Sequence, residues 1–243
     1  AELQQEWYKL GVSMDVFSSN HRSYVYIKGL GRSLEKAIDL LEHVLSDVQP
    51  DQEAYNDFVE GILKKRKDGK LNKRNIIWRG LLNMAKYGSK SPFSDIVNEE
   101  DLRAINPDLL TNRIKNLKNY KHDVFYYGKK THKEIEALLE ERHAMGDKLM
   151  EYPEKRVYPE VDIEGGKVYF SHYDMVQAQV ILLAKDESFN KELMPYARVL
   201  NEYFGGGLSS IIFQEIRESK GLAYSAFCSY STPSQKENSH YIR

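Results

Sequence analysis

The 243-residue sequence holds a single cysteine, Cys228, so no disulfide can form within the chain, and cysteine usage assigns no compartment. Long apolar runs are equally scarce. The longest, Ala178 to Ala184, has the length of a strand and falls far short of the roughly 18 to 20 residues a membrane helix needs, so no membrane insertion is expected. No charge of one sign dominates: Lys+Arg number 35 against Asp+Glu 36, which removes the global field that draws a domain to nucleic acid or anionic lipid. The N-terminal Ala1-Glu2-Leu3-Gln4-Gln5 has neither the basic start nor the apolar stretch of a signal peptide. It also lacks an initiator Met and reads as the middle of a helix, so the chain is expected to be a piece of a longer protein, with any targeting signal upstream. What is present is a soluble-domain composition, 41% hydrophobic and 29% charged, long enough for one large domain or two of ordinary size.

Local patterns order the chain. Residues 1–10 read as the end of a helix stopped at Gly11. Val12 to Ser18 and Ser23 to Lys28 read as two strands joined by a Ser-Ser-Asn-His turn. Ser33 is placed to cap a helix burying Leu34, Ala37, Ile38, Leu41 and Leu45. Pro50-Asp51 opens another, with Tyr55, Phe58, Val59, Ile62 and Leu63 as its stripe. The middle is mostly helical: Asn98 and Asp101 resemble a cap pair, and Asn106-Pro107 a helix start. Asp123 to Tyr127 reads as a short aromatic strand ending at Gly128. Thr131 and Glu134 form a capping-box pattern ahead of Ile135, Leu138 and Leu139. Glu151 to Glu160, with Pro153 and Pro159 among charges, reads as an inter-domain linker. Beyond it the pattern predicts strands over Lys167–Tyr173 and Ala178–Lys185, then a helix capped by Asn190 that buries Leu193, Ala197, Leu200 and Phe204. A break follows at Gly205-Gly206-Gly207, then a second helix from Ser209 to Lys220 halted by Gly221, and a strand over Leu222–Tyr230. Leu3–Ser19 and Phe213–Ser229 align at an offset of 210 residues, with Gln4/Gln214, Gly11/Gly221, Phe17/Phe227 and Ser19/Ser229 coinciding, which suggests two related helix–Gly–strand units.

A screen for chemistry removes most sites. The histidines are His21, His43, His122, His132, His143, His172 and His240, and none forms H-E-x-x-H or H-x-x-E-H, the spacings that set two imidazoles on one helix face around a metal. His132 and His143 share a helix face but sit 11 residues apart, roughly 16 Å at 1.5 Å per residue, too far for one ion. Gly205 to Ser210 lacks the Lys of a phosphate loop and the third Gly of a dinucleotide fingerprint, and reads as a tight helix connection. The basic run Lys64-Lys65-Arg66-Lys67, continuing to Lys70, Lys73 and Arg74, reads as a solvated helix end rather than a nucleic-acid patch, given Asp68 and the neutral balance. Cys228 alternates with large residues and reads as core.

One long segment remains. Asn201-Glu202-Tyr203-Phe204-Gly205-Gly206-Gly207-Leu208-Ser209-Ser210, followed by Phe213-Gln214-Glu215-Ile216-Arg217-Glu218-Ser219-Lys220-Gly221-Leu222-Ala223-Tyr224-Ser225 with its Arg-x6-Tyr landmark, resembles the C-terminal half of pitrilysin/insulinase-family zinc metallopeptidases, of the inverzincin, mitochondrial-processing-peptidase-like type. Residues 10–67 resemble that family's strand–strand–helix–helix unit, so the resemblance covers nearly the whole chain.

The resemblance implies an α+β fold of two related domains, each a mainly antiparallel sheet with helices on one face, here 1–150 and 151–243, both truncated. It implies a non-catalytic, substrate-binding portion of a zinc-dependent endopeptidase, inactive alone, whose zinc lies on an H-x-x-E-H helix in another half. Arg217 would grip substrate carbonyls near the scissile bond, and Tyr224, on the strand leaving the helix, would donate to the developing oxyanion. The bland alternative pairs Arg217 with nearby Glu218 or another acid and buries Tyr224 in the core. The family's distal zinc Glu falls near Lys64 or Lys65, and an earlier acidic position near Phe58, so no metal ligand and no cofactor is expected in this chain. The implied partners are a peptide or unfolded polypeptide and a catalytic half, on the same protein or another subunit. The alternative function is a catalytically dead structural or assembly subunit of the same fold.

Overall fold

The computed structural model describes residues 2–19, 22–143, 145–146, 148–163 and 165–243. In chain order the elements are α1 (Glu2–Lys9), β1 (Val12–Ser18), β2 (Ser23–Gly29), α2 (Leu34–Asp47), α3 (Gln52–Leu71), α4 (Lys73–Asn75), a π-helical stretch Ile76–Leu81, α5 (Leu82–Tyr87), α6 (Glu99–Ala104), α7 (Pro107–Lys115), α8 (His132–Arg142), β3 (Ala184–Ser188), α9 (Leu193–Leu200), π-helical stretches Asn201–Gly205 and Phe213–Ser219, β4 (Tyr230–Ser231) and β5 (Ser239–Ile242). The fold is mixed α+β with small antiparallel sheets. Residues 1–61 with 99–156 form one compact unit and 62–98 with 157–243 another; one boundary falls inside α3 and another at Arg156/Val157, within the Pro-bearing stretch 151–160.

In the first unit, β1 and β2 form a hairpin in which Met14 faces Ile27 and Val16 faces Val25. Its covered face carries Val12, Met14 and Ile27, which pack with Trp7 of α1, Leu10 just past it, and Ala37, Leu40 and Leu41 of α2, while Phe17 and Tyr26 point outward. Period-2 alternation on the hairpin thus meets the apolar stripes of two helices. Asn20 and His21 of the expected turn lie outside the described residues; Ser19 N–H donates to the Arg22 carbonyl at 2.8 Å. In α3, Tyr55 and Val59 are buried, and the Tyr55 hydroxyl donates to the Leu102 carbonyl at 2.5 Å, fixing α6. Phe58, assigned to that stripe, is instead exposed. Ser33 stands before α2 without capping it, because its hydroxyl donates to the Leu10 carbonyl at 2.7 Å. Asn106 caps α7 through Asp108 N–H, and Thr131 and Glu134 form the reciprocal capping box of α8.

In the second unit β5 lies between β3 and β4, with Ala184 facing Ile242 and Tyr230 facing Ile242 from the other side. His240 and Tyr241 are the buried centre: His240 stacks between Phe189 and Tyr230, at 6.1 and 5.2 Å, and its Nε2 accepts from Asn190 N–H at 3.0 Å. Lys86 Nζ lies 4.3 Å over the Tyr241 ring and 3.7 Å from Glu160, and burial pulls this ammonium below its ordinary pKa.

The expected strands over Asp123–Tyr127 and Lys167–Tyr173 are not formed, and Val124, Phe125, Val168 and Phe170 are exposed, without a ladder partner among the described residues. The strand expected over Ala178–Lys185 is displaced to Ala184–Ser188, where β5 pairs with it, and of Leu222–Tyr230 only Tyr230 enters a strand.

Candidate functional site

The motif segment builds a helix–turn–helix clamp. Asn201, just past α9, offers its amide to the main chain of Tyr230 on both sides: Nδ2 donates to the carbonyl at 3.0 Å and Oδ1 accepts the N–H at 2.6 Å. A side-chain amide read this way mimics one rung of a sheet and ties the helix to β4. Nothing in the sequence spacing points to this partner. Gly205 lies against the chain at Cys228, where an added Cβ would stand 2.2 Å from the carbonyl oxygen. Ser210, fully buried, starts the next helix: its Oγ accepts from Phe213 N–H at 3.3 Å, and Gln214 Nε2 closes the turn on the Leu208 carbonyl at 2.6 Å. Gly205 and Gly206 are therefore packing geometry, an added Cβ at Gly206 standing 2.7 Å from the Asn201 carbonyl oxygen, whereas Gly207 faces open space.

The helix beyond is wound wide over Phe213–Ser219 and ends at Gly221, whose φ of 58° suits glycine and lets the Gly221 N–H reach the Arg217 carbonyl at 3.1 Å and the Leu222 N–H the Ile216 carbonyl at 2.9 Å. Gly11, its sequence counterpart, has a φ of 63°. The chain past Gly11 continues as β1, whereas the chain past Gly221 runs irregularly, so Tyr224 sits on a bend and not on the expected strand.

Arg217 and Tyr224 come together on this corner. The Arg217 guanidinium carbon lies 5.3 Å from the Tyr224 ring centroid and 4.8 Å from that of Phe213, so the cation is held between two aromatic faces. Arg217 Nε also lies 3.5 Å from Glu218, the neighbour the bland reading named, with both side chains partly exposed. Tyr224 is 82% exposed and has no place in the core. The arrangement presents a neutral phenol O–H and a cationic guanidinium to solvent from one corner, two donor groups of the kind that suits carbonyl and oxyanion oxygens.

Elsewhere, Lys64 and Lys65 are exposed on α3, two ammonium groups where a carboxylate would have to stand for a zinc site, so the residues present do not fit that ion there. Lys67, Lys70, Lys73 and Arg74 are also exposed, and Arg66 donates to the Val97 carbonyl at 2.7 Å. Cys228 is half-buried, with its thiol pushed up by burial. Among the described residues no helix is long and apolar enough to cross a membrane.

Comparison with known proteins agrees with the motif. A family model described as the peptidase M16 inactive domain matches residues 108–243. An uncharacterized zinc protease of Rickettsia bellii (strain RML369-C) is 24% identical over 233 residues, covering 96% of this chain and 55% of the relative. The uncharacterized zinc protease YmxG of Bacillus subtilis (strain 168) is 25% identical over 254 residues, covering 95% of this chain and 56% of its own. The chain thus spans about half the length of the curated relatives it matches. Among solved structures, a protease from Helicobacter pylori superposes with a TM-score of 0.63 at 16% identity, over 99% of this chain and 59% of its own. A peptidase M16 inactive domain from Pseudomonas fluorescens gives 0.62 at 14% identity, over 99% and 58%; at these identities the likeness concerns the fold.

Proposed function

Because the chain belongs to the peptidase M16 family, the pitrilysin/insulinase peptidases, as part of its inactive domain, we propose that it is the substrate-contacting, non-catalytic portion of a zinc-dependent endopeptidase. The observation that carries this reading is the pairing of Arg217 and Tyr224 at 5.3 Å on an exposed corner, with Tyr224 outside the core. In this role Arg217 holds substrate carbonyl oxygens beside the scissile bond, and the Tyr224 hydroxyl donates to the oxygen that gains charge as the carbonyl becomes tetrahedral. The flanking Phe213 and Tyr224 rings limit the guanidinium's freedom, so less ordering is left to be done when substrate binds. Zinc, in a catalytic half carried elsewhere, would activate the attacking water; this chain contributes the two donors and part of the peptide-binding wall. The partners are then a peptide or unfolded polypeptide and that catalytic half, with domains at 1–150 and 151–243 as the working division.

The test is peptide cleavage by the full-length protein that carries this sequence. Arg217→Ala is expected to lower kcat/KM about 100-fold, while the 243-residue chain alone cleaves nothing. Full activity of Arg217→Ala, or hydrolysis by the isolated chain, would contradict the proposal. The competing assembly-subunit reading is favoured if the full-length protein cleaves no peptide at all.

A further inference from the structure

A second gathering of chemistry-bearing side chains lies in the first unit, where three separate elements deliver Glu42, His122 and His143. Glu42 projects from α2. His143 closes α8, its N–H donating to the Leu139 carbonyl at 2.8 Å. His122 follows a segment held by Lys121 N–H on the Met150 carbonyl at 2.9 Å and Met150 N–H on the Asn119 carbonyl at 2.7 Å. His143 Nδ1–H donates to Glu42 Oε1 at 2.5 Å, both side chains being only 13% exposed. The other Glu42 oxygen accepts from Lys118 Nζ at 3.3 Å, so this group is a carboxylate that only accepts. His122 Nδ1–H donates to the Tyr120 carbonyl at 2.7 Å. Both outer nitrogens are thereby committed as donors. The remaining Nε2 atoms face each other at 2.9 Å, with the rings at 83°.

Two neutral rings with both Nδ1 atoms protonated carry lone pairs at both Nε2 positions, and lone pairs at this separation repel unless a positive centre lies between them. A proton can fill that role, and so can a metal ion. The outer partners suit the metal: a carboxylate on one imidazole and a backbone carbonyl on the other are the contacts that fix a histidine for ligation through Nε2. Zn–N bonds of about 2.0–2.1 Å at a tetrahedral angle place two nitrogens about 3.4 Å apart, an opening of only about 0.5 Å from the observed distance. The surrounding charges do not oppose a cation: Lys118 is neutralised by Glu42, and Arg142 is turned onto Asp39 at 2.7 and 2.8 Å.

We propose that His122 and His143 form a two-imidazole site for a divalent transition-metal ion of the zinc class, with water in the remaining positions on the exposed His122 side. The two ligands lie 21 residues apart on different elements, which is why local spacing gives no sign of them and why the sequence reading expected no ligand here. Among the described residues no group of three His, Cys, Asp or Glu side chains is set to hold a metal, so the ligands the described residues offer are these two imidazoles. The ion's effect is to tie the end of α8 to the 120–122 segment.

The test is a Zn2+ titration of the 243-residue chain against a competing chromophoric chelator. One equivalent is expected to bind. Binding should weaken at least about 10-fold in His122→Ala and in His143→Ala, and about 10-fold in Glu42→Gln, which removes no ligand. His122 is exposed, so His122→Ala is expected to keep the parent's circular dichroism and melting profile, and a loss of binding there is not a loss of fold. Absence of saturable Zn2+ binding, which leaves a proton-sharing pair only, would overturn the proposal, as would binding unchanged in His122→Ala, which would assign the ion to the other histidines.

Discussion

At Gly205 the backbone of the motif runs so close to Cys228 that an added Cβ would stand 2.2 Å from its carbonyl oxygen and 2.4 Å from its nitrogen, both main-chain atoms with little freedom to retreat. Gly205→Ala is therefore expected to cost about 1–3 kcal/mol, read as a lower urea midpoint at unchanged slope. Tyr224 is the opposite case. Being 82% exposed, it contributes little to the fold, and Tyr224→Phe should leave stability within about 0.5 kcal/mol of the parent. That difference separates buried supports from exposed side chains within one motif: Asn201, Gly205 and Ser210 hold the corner, and Arg217 and Tyr224 stand on it. The spacing of Arg217 and Tyr224 was legible in the sequence together with the glycine run. Their stacking and the exposure of Tyr224 were not, because both depend on where the chain turns after Gly221.

Element by element, what the sequence revealed follows how local the stabilising contact is. The caps of α7 and α8 are local and were legible: Asn106 accepts from Asp108 N–H, and Thr131 and Glu134 satisfy each other's backbone donors across three residues. Thr131→Ala should destabilise by about 1 kcal/mol in chemical denaturation. Hydrogen bonds from the Thr131 N–H and hydroxyl hold the Glu134 carboxyl below its ordinary pKa. A lowered carboxylate stabilises the folded state above the ordinary carboxylate range and loses that contribution as pH falls through its folded value. The stability difference between the parent and Glu134→Ala should accordingly be full near neutral pH and vanish in acid. Strands are not local. Phe125, Val168 and Phe170 have strong strand preference and no ladder partner among the described residues, while Ala184–Ser188, with weak preference, becomes β3 because β5 lies beside it. Ser33 shows the same competition in a helix start: a hydroxyl suited to capping is taken by the Leu10 carbonyl.

For the whole molecule, membership in the M16 family as inactive domain and the mixed α+β fold agree with one another, and the chain spans about half of its curated relatives. The near balance of charge, 35 basic against 36 acidic residues, leaves no general field of one sign over the chain. The proposed role of this chain thus rests on two side chains that touch a substrate while the attacking water is activated elsewhere. The most direct measurement is the steady-state kinetics of Tyr224→Phe in the full-length protein, on a peptide the parent cleaves. Loss of an oxyanion donor predicts kcat lowered about 100-fold with KM within about twofold of the parent; an unchanged kcat in a folded variant would contradict it.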